Sequence, residues 1–213
     1  QGAMCGNGIR CVAKYAYDYG IVNKTNISVA TKSGIKYLDL TLGDDGKVAL
    51  VKVNMGAPIL TSRQIPVVST KEQVIDEPLN VDGTTYHITA VSMGNPHYVI
   101  FVDDIKDIDI TEYGKILERD EAFPQRCNIE FAQLVGKDKL RTRVWERGSG
   151  ITWACGTGAC ATATAAVISG LTDRKVEIIM DGGTLNIEWN KDDGHIYMTG
   201  PAEFVFEGEI QIL

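Results

Sequence analysis

Two segments of this chain are imperfect copies of one another, and each places a cysteine just before a helix with glycines in its first turn. The first is Ala-Met-Cys-Gly-Asn-Gly-Ile-Arg-Cys at residues 3–11, and the second is Trp-Ala-Cys-Gly-Thr-Gly-Ala-Cys at residues 153–160. Glycines at the second and fourth positions of each Cys-Gly-x-Gly unit allow a tight turn and a close approach of a ligand to the backbone amides. The repeat therefore predicts two halves of similar construction, each presenting one thiol, as a matched acid and base would require.

Apolar residues three and four apart predict helices over residues 8–19, 112–119 and 158–169. Thr111 is the expected N-cap of the second helix. The third helix is apolar nearly all round, which is typical of a helix buried on every side. Runs rich in β-branched and alternating residues predict strands over residues 27–32, 35–42, 47–54, 64–69, 85–92, 98–102, 128–135, 139–146, 175–180, 184–190, 195–199 and 203–213.

The predicted order in each half is strands, one central helix and further strands. This order predicts an α+β fold, in which a curled, mostly antiparallel sheet surrounds each helix. Residues 55–58 interrupt the strand pattern with Met-Gly-Ala-Pro. We therefore expect one domain over residues 1–54 together with 201–213, and a second domain over residues 55–200. No strand precedes the first Cys-Gly-x-Gly unit, and the chain does not start with methionine. We therefore expect that the first half is incomplete and that this chain begins part-way through a longer protein.

Charge and cysteine usage limit the partners. The formal net charge is −7 and no basic cluster is present, which argues against nucleic acid or an anionic membrane as a partner. No apolar run is long enough to span a bilayer. The five cysteines match no secreted disulfide framework, so a reducing, cytoplasmic location is expected.

The position of each cysteine at a helix start has a chemical consequence. Free N–H groups there bind carboxylate or phosphate, and the helix dipole favours a thiolate. That interaction is worth about 1 kcal/mol, so the dipole lowers a thiol pKa by about one unit and leaves it near neutral pH. Packing in a small-residue turn is the alternative for a single such cysteine. Neither copy ends as a phosphate-binding loop does, and no Cys-x-x-Cys pair favours zinc or dithiol chemistry.

Two further segments carry polar side chains next to predicted strands. Met-Gly-Asn-Pro-His brings Asn95 and His97 to the start of a strand, and Glu146 and Arg147 precede Gly-Ser-Gly at the end of another. The glycines would let the backbone turn the Glu146 and Arg147 side chains into a site. A packed or solvated histidine and a surface ion pair are the alternatives.

MCGNGIRC, MGNPH, RCNIEF and ERGSGITWACGTGACAT, in this order, resemble the diaminopimelate epimerase family. The resemblance implies an isomerase that needs neither pyridoxal phosphate nor any other cofactor and no metal. Such an enzyme interconverts LL- and meso-diaminopimelate for lysine and peptidoglycan synthesis. It also implies two similar halves with the active site between them.

The resemblance implies roles for individual residues. Cys5 and Cys155 would be the two acid/base residues, and His97 and Glu146 would lie beside the thiols. The residues expected to contact the substrate are Gly6, Asn7, Asn95, Asn128, Glu146, Arg147, Gly156 and Thr157.

Alternatives within and outside the enzyme class stay open at this point. Proline and hydroxyproline racemases carry a similar cysteine pair with different flanking residues, and a non-catalytic amino-acid-binding module could keep the fold. A homodimer is also open. Since complete family members have strands and substrate contacts upstream of the first cysteine, we expect this chain alone to be inactive or weakly active.

Overall fold

The computed structural model describes residues 5–211 and contains three α-helices in that range. They are α1 (Gly6–Asp18), α2 (Ile110–Leu117) and α3 (Gly156–Ile168), and short 3₁₀ turns lie at Ser62–Gln64 and Ile105–Asp107. Strands make up most of the remaining regular structure, so the predicted α+β class is confirmed. The strands are β1 (Asn26–Thr31), β2 (Gly34–Leu42), β3 (Val48–Gly56), β4 (Glu77–Val81), β5 (Thr84–Ser92), β6 (Pro96–Phe101), β7 (Asn128–Gly136), β8 (Lys139–Glu146), β9 (Gly150–Thr152), β10 (Lys175–Met180), β11 (Gly183–Trp189) and β12 (Ile196–Gly200).

The chain divides into two compact units. The first unit comprises Gln1–Lys52 and Gly200–Leu213. The structure describes residues 5–52 and 200–211 of this unit. It holds α1 and the neighbouring strands β1, β2 and the first part of β3. Helix α1 buries one stripe, formed by Gly6, Ile9, Arg10 and Ala13. Val12 on its other side and Tyr19 at its C-cap are about half exposed.

The second unit, Val53–Thr199, is a mixed sheet around α3. Its strand order is β12-β11-β10-β8-β7-β6-β5-β4, with β9 paired to β8. Most neighbours are antiparallel, and the parallel pairs are β6 with β7 and β8 with β10. Helix α3 contacts strands along the whole order from β5 to β11, and nearly all its residues are buried. This confirms the prediction of a helix buried on every side.

Strand alternation sorts the second unit's side chains onto two faces of the sheet. Val99 and Ala132 pack with Ala161 and Ala165 of α3. Their neighbours in sequence, including Tyr98 and Phe131, pack on the opposite face with residues of α2. Because successive side chains alternate, His97 falls on the face of Val99, and Asn128 and Glu130 fall on the face of Ala132. The polar residues of β6 and β7 are thereby directed to the side where α3 begins.

Three local predictions are wrong. Residues 64–69 form no strand, since Pro66 lacks the N–H that a central strand needs, and a 3₁₀ turn ends there instead. Residues 203–211 also form no strand, since no neighbouring strand in the described part of the chain pairs with them; residues 212–213 lie outside the described residues. The N-cap of α2 is Asp109 rather than Thr111, because the Asp109 carboxylate accepts from two backbone N–H groups.

The sequence patterns did not predict two of the strands in the described residues, β4 and β9. β4 contains Pro78, which argues against a strand in sequence, but β4 lies at the end of the strand order and pairs with β5 alone. Proline is tolerated at such an edge. β9 has three residues and is too short for a periodic pattern.

Candidate active site

Each unit has a cysteine as the N-cap of one helix. Cys5 caps the partly buried α1 in the first unit, and Cys155 caps the buried α3 in the second. Cys5 has φ −134° and ψ 115°, and Cys155 has φ −128° and ψ 111°. In each case the cap sulfur accepts from the backbone N–H three residues on, Gly8 for Cys5 and Gly158 for Cys155, at 3.4 Å. The sequence repeat therefore produces the same local geometry twice.

The surroundings of the two thiols differ. Cys5 is exposed and Cys155 is 7% exposed. Burial raises the pKa of Cys155 to about 12, and the carboxylates of Glu130 and Glu146 act in the same direction against the hydrogen bonds from Thr157 and Gly158. The expectation of a lowered, near-neutral pKa is therefore wrong for Cys155. A Cys155 thiolate would be desolvated beside two carboxylates. These two effects raise the pKa by more than the hydrogen bonds at the helix start lower it.

Asn95 and Thr157 form a hydrogen-bonded chain that ends at Cys155. Asn95 lies in the turn between β5 and β6, where Gly94 adopts φ +96°. Its Nδ2 donates to Thr157 Oγ1 at 3.3 Å, and that hydroxyl lies 3.4 Å from the Cys155 sulfur. The structure thus brings together the first polar segment and the second cysteine motif, which are far apart in sequence.

His97 and Glu130 form a buried pair beside the same helix start. His97 Nδ1 and Glu130 Oε1 are 2.7 Å apart, and both side chains are fully buried. A Cβ placed on Gly158 would lie 2.7 Å from Glu130 Oε1 and 3.3 Å from the Cys155 sulfur, so only glycine fits between them. His97 is therefore held by Glu130, and Glu130 is the member of the pair that contacts the first turn of α3.

Asn128, Glu146 and Arg147 lie where β7 begins and β8 ends. Asn128 Nδ2 donates to the Pro96 carbonyl, and its Oδ1 accepts from the Arg147 backbone N–H at 2.8 Å. Glu146 Oε1 accepts from the Thr152 hydroxyl on β9. The Arg147 guanidinium is exposed and donates to the Gln125 carbonyl. Asn128 therefore connects the start of β6, next to His97, to the loop that carries Arg147.

In the first unit, Arg10 holds the turn that carries Gly6 and Asn7. Its guanidinium donates to the Gly6 carbonyl and to Asn7 Oδ1, each at 3.1 Å, and to the Pro201 carbonyl at 3.0 Å. Arg10 is 7% exposed. The two substrate contacts expected in this unit thus sit on a turn braced by a buried arginine.

Glu130 and Arg10 are the residues that the sequence interpretation missed. Glu130 was visible in RCNIEF as a second polar residue two positions after Asn128, on the same strand face. Arg10 follows Gly6 and Asn7 by four and three positions, the spacing at which helix residues meet. Gly156 and Thr157, by contrast, were expected at the site and open α3 directly after Cys155.

Two kinds of feature are absent from residues 5–211. No helix there is long and apolar enough to cross a membrane. No group of three or more His, Cys, Asp or Glu side chains in the described residues is arranged to hold a metal ion.

The sequence profile of diaminopimelate epimerase matches residues 1–61 and 89–205. The chain belongs to the diaminopimelate epimerase family. It is 49% identical over 220 residues to the diaminopimelate epimerase of Agathobacter rectalis, covering all of this chain and 77% of that protein. It is 54% identical over 211 residues to that of Bacteroides thetaiotaomicron, covering 99% of this chain and 73% of that protein. The resemblance and the isomerase class predicted from the motifs are confirmed.

Solved structures support the family fold at lower identity. A phenazine biosynthesis protein of the PhzF family from Bacillus anthracis gives a TM-score of 0.67 at 16% identity, over 99% of this chain and 77% of that one. A probable proline racemase from Agrobacterium radiobacter gives 0.67 at 15% identity, over 93% of this chain and 65% of that one. At these identities the likeness concerns the fold of the diaminopimelate epimerase family.

Proposed function

We propose that this chain inverts one α-carbon of diaminopimelate, interconverting the LL and meso forms, with Cys5 and Cys155 as acid and base and without a cofactor. The observation that carries the proposal is the repeated cap, in which each sulfur accepts from a helix-start amide at 3.4 Å. A protein that only binds an amino acid has no need of two thiols held in the same frame.

The chemistry explains why these groups occur at helix starts. Removal of the α-proton leaves negative charge beside the substrate carboxylate, and without pyridoxal phosphate the protein must stabilise that charge itself. Backbone N–H groups at a helix N-terminus are preorganised donors for a carboxylate. The amides around Gly6, Asn7, Gly156 and Thr157 are the donors that the proposal uses.

Inversion requires one thiolate and one thiol. The thiolate takes the α-proton and becomes a thiol, and the second thiol delivers its proton to the carbanion from the other face and becomes a thiolate. Because the pKa of Cys155 is raised to about 12 by burial, this residue is protonated in the substrate-free protein at neutral pH. We therefore assign proton delivery to Cys155 in one direction of the reaction, and the two thiols exchange roles in the reverse direction.

The remaining polar residues suit a substrate with a second amino-acid head group. A carboxylate such as Glu146 pairs with an ammonium group, and a guanidinium such as Arg147 binds a carboxylate in a bidentate manner. Asn95 and Asn128 supply neutral donors and acceptors beside them. This set favours diaminopimelate over proline or hydroxyproline, which have a single head group.

Deuterium incorporation from solvent into LL-diaminopimelate tests the proposal. We expect weak exchange at the α-carbon in the parent chain, loss of that exchange in Cys5→Ala and Cys155→Ala, and retention of the parent level in Cys11→Ala. Cys11 is a matched control because it is an exposed cysteine on α1 that caps no helix. Exchange into proline but not diaminopimelate would move the assignment to a racemase of the same fold. Exchange that survives both cap substitutions would reject the two-thiol mechanism.

Location and assembly follow as smaller proposals. We infer a cytoplasmic protein, because all five cysteines are free thiols and free thiols persist in reducing compartments. The homodimer stays a prediction, and light scattering of the purified chain at several concentrations tests it.

A further inference from the structure

Glu130 is a buried carboxylate that the proposed mechanism does not use. Both its side chain and that of His97 are fully buried. One carboxyl oxygen, Oε1, meets His97 Nδ1 at 2.7 Å. The other oxygen, Oε2, and the second ring nitrogen, His97 Nε2, find no hydrogen-bond partner within the described residues. A buried carboxylate with a free oxygen is costly to maintain, so a functional reason for it is expected.

Glu130 is also close to the Cys155 thiol. A Cβ on Gly158 would lie 2.7 Å from Glu130 Oε1 and 3.3 Å from the Cys155 sulfur. The two atoms are therefore no further apart than the sum of these distances. Charges separated by about 4–6 Å change each other's protonation strongly.

The groups that face Glu130 come from every neighbouring element. His97 lies on β6, Glu146 at the end of β8, and Cys155 at the start of α3, while Cys127 precedes β7 itself. Of these groups, His97 is the cationic one when protonated. A carboxylate in this position is repelled by Glu146 and would in turn repel a Cys155 thiolate.

We propose that Glu130 is a positioning residue, which holds His97 with its proton on Nδ1 and, by its charge, further disfavours the thiolate form of Cys155. The inference rests on the proposed function, in which Cys155 is the proton donor. Glu130 does not touch the substrate in this account. It acts through His97 and through its charge at the first turn of α3.

Fixing the His97 proton on Nδ1 has a direct consequence for the other nitrogen. A neutral imidazole carries one N–H, so donation from Nδ1 to Glu130 leaves Nε2 as an acceptor. Nε2 is then a buried acceptor without a partner in the described residues. Burial raises the pKa of Glu130, and the charge and hydrogen bond of His97 oppose that rise.

The test measures the Cys155 proton directly. In protein labelled with ¹³C at cysteine Cβ, the Cβ shift reports thiol or thiolate whatever the access of reagents, and Cys155→Ser identifies the signal. We expect Glu130→Gln, which keeps the shape but removes the charge, to lower the Cys155 titration midpoint by about one to two pH units. A pKa shift of this size is expected when the Glu130 carboxylate and a Cys155 thiolate lie about 6 Å apart at an effective dielectric constant of about 20–40.

Glu118→Gln is the matched control, because Glu118 is the other buried carboxylate in the described part of the second unit and is bound to Trp145 rather than to the α3 turn. We expect the titration midpoint of Cys155 in Glu118→Gln to equal that of Cys155 in the parent protein. An unchanged midpoint in Glu130→Gln, or an equal shift in Glu118→Gln, would overturn the proposal. Neither result depends on turnover, so the outcome is separate from that of the deuterium-exchange experiment.

A second measurement needs no substitution at Glu130 and covers the case in which Glu130→Gln does not fold. In unaltered protein labelled with ¹⁵N-histidine, the His97 ring shifts should show the proton on Nδ1 between pH 7 and pH 9. A proton on Nε2 in that range would reject the positioning role.

Discussion

At the scale of single residues, the two cysteines show how an identical local motif acquires different chemistry. Their cap dihedrals agree within a few degrees, and both sulfurs accept from a helix-start amide. The contrast comes from burial: Cys5 is exposed, whereas Cys155 lies beside Glu130 and Glu146. Burial and the neighbouring carboxylates, rather than the motif, therefore set the pKa of Cys155.

The raised pKa of Cys155 predicts a pH dependence of stability. Burial and the nearby carboxylates raise this pKa from 9.0 to about 12. Between those values the unfolded chain releases the thiol proton and the folded chain keeps it, so the free energy of unfolding falls as pH rises. Urea unfolding should show a slope steeper by about 1.4 kcal/mol per pH unit in the parent than in Cys155→Ser. Parallel slopes from pH 9.5 to pH 10.5 would contradict the assignment.

Gly158 and Gly8 occupy equivalent positions but should differ in tolerance. A Cβ on Gly158 would meet Glu130 Oε1 at 2.7 Å, whereas one on Gly8 would meet only Cys5 atoms, at 3.5 Å. We expect Gly158→Ala to destabilise the protein by about 1–3 kcal/mol, as overpacking does. Gly8→Ala should be neutral or stabilising by up to about 1 kcal/mol, since alanine favours a helix. Equal unfolding free energies in the two variants would show that the contact with Glu130 is unimportant.

At the scale of elements, hydrogen-bonding partners decided where helices begin. Both Asp109 and Thr111 are N-cap residue types, but the Asp109 carboxylate accepts from the N–H groups of Thr111 and Glu112 at 3.0 and 3.1 Å. The acidic cap also interacts favourably with the positive end of the helix dipole. α2 therefore starts at Ile110, earlier than the apolar spacing alone indicates.

Substitution at the two candidate caps of α2 tests this assignment. Asp109→Ala should lower the free energy of unfolding by about 1 kcal/mol, because it removes two hydrogen bonds to otherwise unpaired donors. Thr111→Ala should cost less than half as much, since Thr111 lies inside the helix. Urea denaturation of both variants under one set of conditions gives the comparison, and a larger loss in Thr111→Ala would restore the sequence-based cap.

At the scale of the whole chain, the second unit, Val53–Thr199, holds α2, α3 and most of the strands. Helix α3 is wrapped by strands there, and a hydrophobic cluster covers the other face of β5–β7. Residues 201–211 lie in neither helix nor strand, and several of their apolar side chains are exposed, among them Val205, Phe206 and Ile210. Protection against local opening should follow the same division.

Hydrogen–deuterium exchange measured by mass spectrometry tests that division. Peptides from α3 should be the slowest to exchange, because their amides open only with the second unit. Peptides over residues 203–211 should exchange close to the intrinsic rate. Slow exchange across residues 203–211 would indicate a paired strand there and would restore the prediction that the structure contradicts.

The strongest sequence predictions were those carried by local pattern. The two Cys-Gly-x-Gly units predicted both helix starts, and the all-apolar run predicted a helix buried on every side. The strands β7 and β8 also followed from alternation. Each depends on residues close together in the chain, where periodicity and turn chemistry act without help from distant segments.

The sequence by itself determined the family, the α+β class and the pair of thiols at helix starts, because these reside in contiguous motifs. Only the tertiary structure decided that residues 203–211 lack a partner strand and that Glu130 reaches the start of α3. It also decided that Cys155 is buried beside two carboxylates. Strand partners and the environment of a titratable group are set by residues far apart in sequence, and their effect depends on distances that no local pattern contains.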